Sequence, residues 1–211
     1  MIRALMDGSK SQTRRIVKPQ PAYVCGHDNE DVYHPNEKDL LRCKFGADGD
    51  QLWVRETWRT YASLDYLPPS AIEPGAGVQY EALGTNLHGD KGDYLLGMGK
   101  VRPSIFMPRW ASRITLEIVS VRVERLQDIG EDDAKAEGLK GITKDGKLVK
   151  YGIPDADGYP GTDDIGWPWE DWRISPVDAY RKLWESINGP GSWDENPFVW
   201  CISFRRVKQC R

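Results

Sequence analysis

The sequence predicts a small mixed α+β protein, a β-barrel with helices packed on its outside and two loop-rich insertions, on three observations. The first is Arg113-I-T-L-E-I-V-S-V-R-V-E-R-L126, where Ile114, Leu116 and Ile118 alternate and Val119, Val121 and Val123 continue on the opposite parity. One such slip of phase is what a β-bulge produces where a strand bends around a small barrel. The second is Ser175-P-V-D-A-Y-R-K-L-W-E-S-I-N-G189, with a capping Ser, Pro at the first helical position and Gly to stop it. The third is the closing run Phe198-V-W-C-I-S-F-R-R-V207, with Phe198, Trp200, Ile202 and Phe204 on one face and Cys201, Ser203 and Arg205 on the other.

The remaining elements follow in order. Ile2, Leu5 and Met6 share a helical face that ends at Gly8, and an extended segment starts near Ser11 and stops at the Pro-flanked Lys18-P-Q-P21. Residues 20–50 are polar without a period and read as a long loop. Residues 51–58 read as a strand after a Gly/Asp turn. The Gly- and Pro-rich stretch of about 60–100, with a short strand in Val78-Q-Y-E-A82, reads as one insertion, and residues 140–172 as the other. Between them Gly130-E-D-D-A-K-A-E-G-L139 is a short helix with acids in its first turn and Gly138 at its end. The whole is expected to be one domain over residues 1–211.

Composition excludes several classes. The 211 residues carry 39% hydrophobic and 29% charged residues, which argues against disorder, collagen and coiled coil. No apolar run of about 18 residues and no signal-peptide core are present, so a cytoplasmic protein is expected, with no membrane partner. The formal net charge of −3 provides no general cationic field, so any nucleic-acid contact must come from a local patch. Four Cys do not make a disulfide scaffold, and reduced thiols are expected.

The densest reactive segment is Gly8-S-K-S-Q-T-R-R15. On a strand starting near Ser11, residues Ser11, Thr13 and Arg15 point to one side, and the stem of Lys10 can reach that side from the turn. A hydroxyl beside a Lys forms a nucleophile and base pair if burial or a neighbouring cation, Arg14 or Arg15, strips the ammonium of its proton near neutral pH.

Gly8-S-K-S-Q-T-R-R15, Gly49-D-Q-L-W-V-R-E56 and Asp133-A-K-A-E-G-L139, in this order, resemble the ASCH domain of the PUA-like superfamily. They are similar in particular to the long phage and prophage type often labelled morphogenetic proteins. The resemblance extends through residues 102–113, the Leu183-W-E-S-I-N-G189 helix and the closing strand. It implies a PUA-like barrel without a cofactor. Small ASCH proteins that hydrolyse N4-acetylcytidine use a Lys, a Thr three residues later and a distant Glu, which fall on Lys10, Thr13 and Glu137. The resemblance therefore implies an amidohydrolase in which Lys10 takes a proton from Thr13, whose oxygen attacks an acyl amide, while Glu137 positions the Lys or passes the proton to the leaving amine. Ser11, Arg14, Arg15, Arg55, Arg109 and Trp110 would contact the substrate or nucleic acid. The implied partner is a modified nucleoside, RNA or single-stranded nucleic acid. Ser11 departs from the Thr of the small hydrolases and Arg14 from their apolar residue. Relatives commonly carry a strand before the first helix, so either the barrel closes differently here or a strand lies upstream. Two other functions fit the residues: a non-catalytic reader of RNA or modified nucleic acid, and a phage assembly protein that keeps only the fold.

Blander roles stand beside these. Lys10, Thr13 and Glu137 equally describe a structural polar cluster, and Arg14, Arg15, Lys18, Arg55, Arg109 and Arg113 a solvated charge face. Trp167, Trp169 and Trp172 read as a satellite core holding the second insertion, ahead of a lid that stacks on a base. Trp53, Trp184 and Trp200 read as core. Cys25, His27, His34 and Cys43 have ligand types acceptable to zinc, but their C-x-H-x6-H-x8-C order lacks the compact pairs of a structural site, and no metal is assigned to them. His88 is expected to face water and Cys210 to be an exposed thiol.

Overall fold

The computed structural model describes residues 2–21, 24–25, 31–32, 42–83, 97–155, 157–161 and 166–207. Along the chain run α1 (Ile2–Met6), β1 (Gln12–Ile16), β2 (Val24–Cys25), β3 (Asp31–Val32), β4 (Gln51–Trp53), β5 (Trp58–Arg59), β6 (Gln79–Tyr80) and β7 (Thr115–Arg125). Then come α2 (Glu131–Ala136), β8 (Lys140–Thr143), β9 (Val149–Gly152), α3 (Pro176–Asn188) and β10 (Phe198–Val207). The class is mixed α+β, with an antiparallel sheet of order β1-β10-β7-β4 curled into a half-barrel, and with β2-β3, β5-β6 and β8-β9 as two-stranded ribbons. The chain divides into two compact units, one of residues 3–51 and 117–206 and one made mainly of residues 52–116. Among the described residues no helix is long and apolar enough to cross a membrane.

In the first unit, α3 lays Ala179, Tyr180, Leu183 and Trp184 into a core with Leu126, Ala134, Leu139, Val199 and Cys201. Its ends follow the sequence signals: the Ser175 hydroxyl accepts the Asp178 N–H at 3.3 Å, and Gly189 takes a φ of 102° after the last turn. Replacing Ser175 by Ala orphans that donor and is expected to cost about 1 kcal/mol in urea unfolding.

The phase slip of β7 is visible in its burial. Ile118 and Val123, of opposite parity, are both buried, but Val119 is 51% exposed, so the change of face falls later than the alternation predicts, between Val119 and Val123. Strand β10 departs from the expected two-faced pattern, because Val199, Trp200, Cys201 and Ile202 are all buried. As a central strand between β1 and β7 it is covered on both faces, and Cys201 packs among the residues that α3 covers.

Residues 140–172 are more ordered than a loop-rich insertion. Strands β8 and β9 pair from Lys140↔Gly152 to Thr143↔Val149 around an Asp145-Gly146 turn. The Asp145 carboxylate accepts the N–H groups of Lys147 and Leu148 at 2.9 and 3.0 Å, and Gly146 takes a φ of 72°. Asp-Gly between strand-forming runs is the usual hairpin signal. Trp172 is buried, donates its indole N–H to the Trp167 carbonyl at 2.9 Å, and lies so close to Gly152 that a Cβ there would stand 2.5 Å from its ring.

In the second unit, Trp58, Ile72, Met107 and Ala111 form a small core, against which Trp53 and Trp110 pack. The single strand expected over 51–58 is broken into β4 and β5. The backbone between them turns Glu56 inward, where it is 2% exposed and held by Arg113 through bonds of 2.9 and 2.7 Å. The Glu56 N–H goes to the Met107 sulfur at 3.4 Å and not to a neighbouring strand. The short strand expected in 78–82 is β6, paired with β5.

Candidate functional site

The site lies in the first unit, where the chain entering β1 crosses the end of α2. Lys10 and Glu137 form an isolated antiparallel bridge, the Lys10 N–H bonds the Ala4 carbonyl at 2.8 Å, and the Ser11 N–H bonds that of Ala136 at 2.9 Å. Gly138, with a φ of 97°, makes the close approach possible: a Cβ there would lie 3.1 Å from the Lys10 Cβ. Only a residue without that atom leaves the Lys stem its path.

Lys10, Gln12 and Arg14 alternate along the chain and are all buried, so they share the inner face of β1. The Lys10 ammonium donates to the Glu137 carboxylate and to its backbone carbonyl, both at 2.7 Å. Burial pushes the Lys10 amine below its ordinary value of 10.5; Glu137 opposes this, and Arg15 and Arg14 add to it. Four residues further along, Arg14 is held through both terminal nitrogens of its guanidinium, while its Nε has no hydrogen-bond partner among the described residues. It donates to Gln12 at 2.5 Å, Glu124 at 2.6 Å, Asp133 at 2.9 Å and Glu137 at 3.5 Å. Arg122 donates to Glu124 at 3.2 Å and to Asp133, while Gln12 reaches the other Asp133 oxygen at 3.1 Å. The three cations Lys10, Arg14 and Arg122 thus face three carboxylates, Glu124, Asp133 and Glu137.

Burial works to raise both the Glu124 and the Asp133 carboxyl. It is outweighed at Glu124 by the Cys201 thiol and by Arg14 and Arg122, and at Asp133 by Arg14 and Arg122, so both are held below their usual 4.5 and 3.8. The Cys201 thiol, which donates to Glu124 at 3.0 Å, is pushed well above its ordinary value by burial. Tyr180 closes the network from α3, its ring 5.8 Å from the Arg14 guanidinium carbon.

Of the residues singled out by sequence, the structure brings together Lys10, Glu137 and Arg14. Thr13 is half-buried on the alternate parity of β1 with exposed Ser11 and Arg15, paired across to Ile202 of β10. The Lys10 amine turns inward to Glu137 and not to the Thr13 side. Arg14 is engaged by carboxylates and has no surface for a phosphate. Arg55, Arg109 and Trp110 belong to the second unit, the arginines exposed and Trp110 edge-on to Trp58 at 6.5 Å. Cys25 lies in β2 and Cys43 is half-buried with its thiol raised by burial. His27, His34, His88 and Cys210 lie outside the described residues. Among the described residues no cluster of three or more His, Cys, Asp or Glu is arranged to hold a metal ion.

Sequence reasoning missed Gln12, Glu124, Asp133, Arg122, Cys201 and Tyr180. The signal for two of them was present. Gln12 follows Lys10 by two, and Asp133 precedes Glu137 by four, which is one turn of a helix. An open depression of about 600 Å³ on the outer side of α3, lined by Arg173, Asp178, Arg181, Lys182 and Glu185, is a separate feature whose cations pair with nearby acids, Arg181 with Asp194 and Lys182 with Asp171. No family model, curated protein or solved structure matches this chain.

Proposed function

We propose that this chain is a PUA-like domain of the ASCH type that recognises a nucleobase or nucleoside and removes the acyl group from an N4-acylated cytosine. The observation that supports it is the buried Lys10–Glu137 pair, an amine with a lowered proton affinity 2.7 Å from a carboxylate at the end of a separate helix. In this reading Thr13 Oγ attacks the acyl carbon as Lys10 takes its proton. The C–N bond then breaks with a proton passing to the exocyclic amine, and water releases the acyl group from Thr13 as a carboxylic acid. Glu137 holds the amine in place throughout.

The test is release of cytidine from N4-acetylcytidine, followed by chromatography. Thr13 is half-buried at its position, so Thr13→Val is expected to fold normally while losing turnover by about a thousandfold or more. Turnover equal to that of the unaltered chain ends the hydrolase reading.

One observation favours a second reading. Lys10 spends two of its three N–H donors on Glu137 alone, and Thr13 lies on the other parity of the strand. This suits a non-catalytic reader in which the network is a rigid floor beneath a bound base. Absence of turnover together with saturable binding of the modified nucleoside identifies it.

A further inference from the structure

The hairpin Lys140-G-I-T-K-D-G-K-L-V-K-Y-G152 sets four lysines beside a single acid, in a chain whose formal net charge is −3. That acid, Asp145, is taken up by the N–H groups of its own turn. Lys140 donates to the Gly158 carbonyl at 3.0 Å, Lys144 and Lys150 lie 4.5 and 4.9 Å from the centroid of the Trp169 ring, and Lys147 is exposed. Among the described residues none of the four meets a carboxylate, whereas Lys135 and Lys182 in the same unit pair with Asp132 and Asp171.

The same hairpin has an open edge. Tyr151 of β9 donates its N–H to the Arg173 carbonyl at 2.7 Å and accepts the Arg173 N–H at 3.0 Å, so its main-chain groups point away from β8. Its cross-strand partner Gly141, and Thr143 two residues on, therefore turn their own N–H and C=O groups to the outer side of β8. Among the described residues no strand pairs there. Lys140, Gly141 and Thr143 are exposed along it.

A row of alternating donors and acceptors is a template for one more strand, and the side chains beside it decide which strand fits. A second copy of β8 would bring lysine against lysine, which is repulsive across a ladder. Phosphates answer the ammonium groups and the edge N–H groups but, offering only acceptors, leave the edge carbonyls unmatched. An extended peptide supplies both kinds of main-chain partner. Acidic side chains at its alternate positions lie on the face that carries Lys140 and Lys150. The other face carries Gly141, Thr143 and Val149, the last 41% exposed, and there a β-branched side chain finds apolar surface.

We propose that the outer edge of β8 binds an extended acidic peptide as a third strand of the ribbon, one in which acidic residues alternate with β-branched ones. The surface stands independently of the hydrolase reading, since it uses none of the Lys10, Thr13 or Glu137 groups.

The experiment measures anisotropy of a fluorescein-labelled nine-residue peptide of alternating Glu and Val against the full chain over a range of salt, beside its Lys/Val counterpart and an oligouridylate of equal charge. Expected is saturable binding of the Glu/Val peptide that weakens as salt rises, with the other two probes much weaker. Lys140→Ala/Lys144→Ala should weaken it about 2- to 30-fold at low salt, the worth of two exposed ion pairs. Lys18→Ala/Arg206→Ala removes the same charge from exposed positions off the hairpin and should leave affinity unchanged. Thr143→Pro takes one N–H from the edge and should weaken binding about tenfold. Thr143→Val keeps that N–H, gives up only the hydroxyl that accepts the Gly146 N–H at 2.9 Å, and should bind as the unaltered chain does. In the unaltered chain, saturating peptide should slow exchange of the Gly141 and Thr143 amide hydrogens, a readout that stands even where Pro disturbs the hairpin. Four results overturn the proposal: no saturable binding at low salt, equal weakening by the two charge-removing pairs, no added protection at Gly141 and Thr143, or oligouridylate binding as tightly as the peptide.

Discussion

Arg14→Met should lower folding free energy by about 3–5 kcal/mol at neutral pH, the cost of removing one partner from a buried charge cluster. The Arg14 side chain is fully buried and touches Gln12, Glu124, Asp133 and Glu137, so its loss leaves Arg122 and Lys10 to balance three carboxylates. The pH dependence has a definite sign. In the unaltered chain Glu124 and Asp133 sit below their usual 4.5 and 3.8, so their stabilisation is complete above those values and is lost as pH falls through the lower folded ones. Without Arg14, burial raises both groups with less opposition, and they take up protons at a higher pH in the folded state. Urea unfolding from pH 7 down to pH 4 should therefore show the gap between the two proteins narrowing. A gap below 1 kcal/mol, or one constant with pH, is incompatible with the network as described.

Lys10→Met is expected to cost a similar amount, about 3–5 kcal/mol, because Glu137 is left as a buried carboxylate whose nearest remaining cation is Arg14 at 3.5 Å. Glu137→Leu alone strands the ammonium in the same way. The double variant removes both charges and should recover most of the loss, since an apolar pair often replaces a buried ion pair without penalty. Additive losses in the double variant would mean that the two groups do not act on each other. Lys10 also contributes on the alkaline side. Its folded proton affinity lies below 10.5, so the unaltered chain should gain stability as pH rises from that lowered value toward 10.5, and chains with Met at this position should lack the gain.

Local signals carried far in this chain where one element decided its own shape. Ser175, Pro176 and Gly189 mark α3 to the residue, and the parity change expected in β7 is present but falls after Val119, which is exposed, and not directly after Ile118. They failed where a distant partner decided. Nothing near Glu56 announces that Arg113 will draw it inward and break the strand, and nothing in Phe198–Val207 announces that both faces will be covered. The Asp145-Gly146 hairpin lies in a stretch whose Gly, Pro and Asp content reads as loop when taken as composition and as a turn when taken as spacing. In the site, Lys10 and Glu137 were legible as residue types at their positions. The side of β1 to which Lys10 turns was not, since it depends on Gly138 and the end of α2 more than a hundred residues away.

The pairing of β1 with β10 has a kinetic consequence for a chain made from one end. Gln12 meets Ser203 at a sequence separation of 191 residues, so the first strand emerges from the ribosome long before its neighbour exists. At about 5–20 residues per second the wait is roughly 10–40 s. Until β10 has been made, β1 has no neighbour in the sheet, so its closure and the full burial of Arg14 wait for a contact of long sequence separation, the kind that forms slowly.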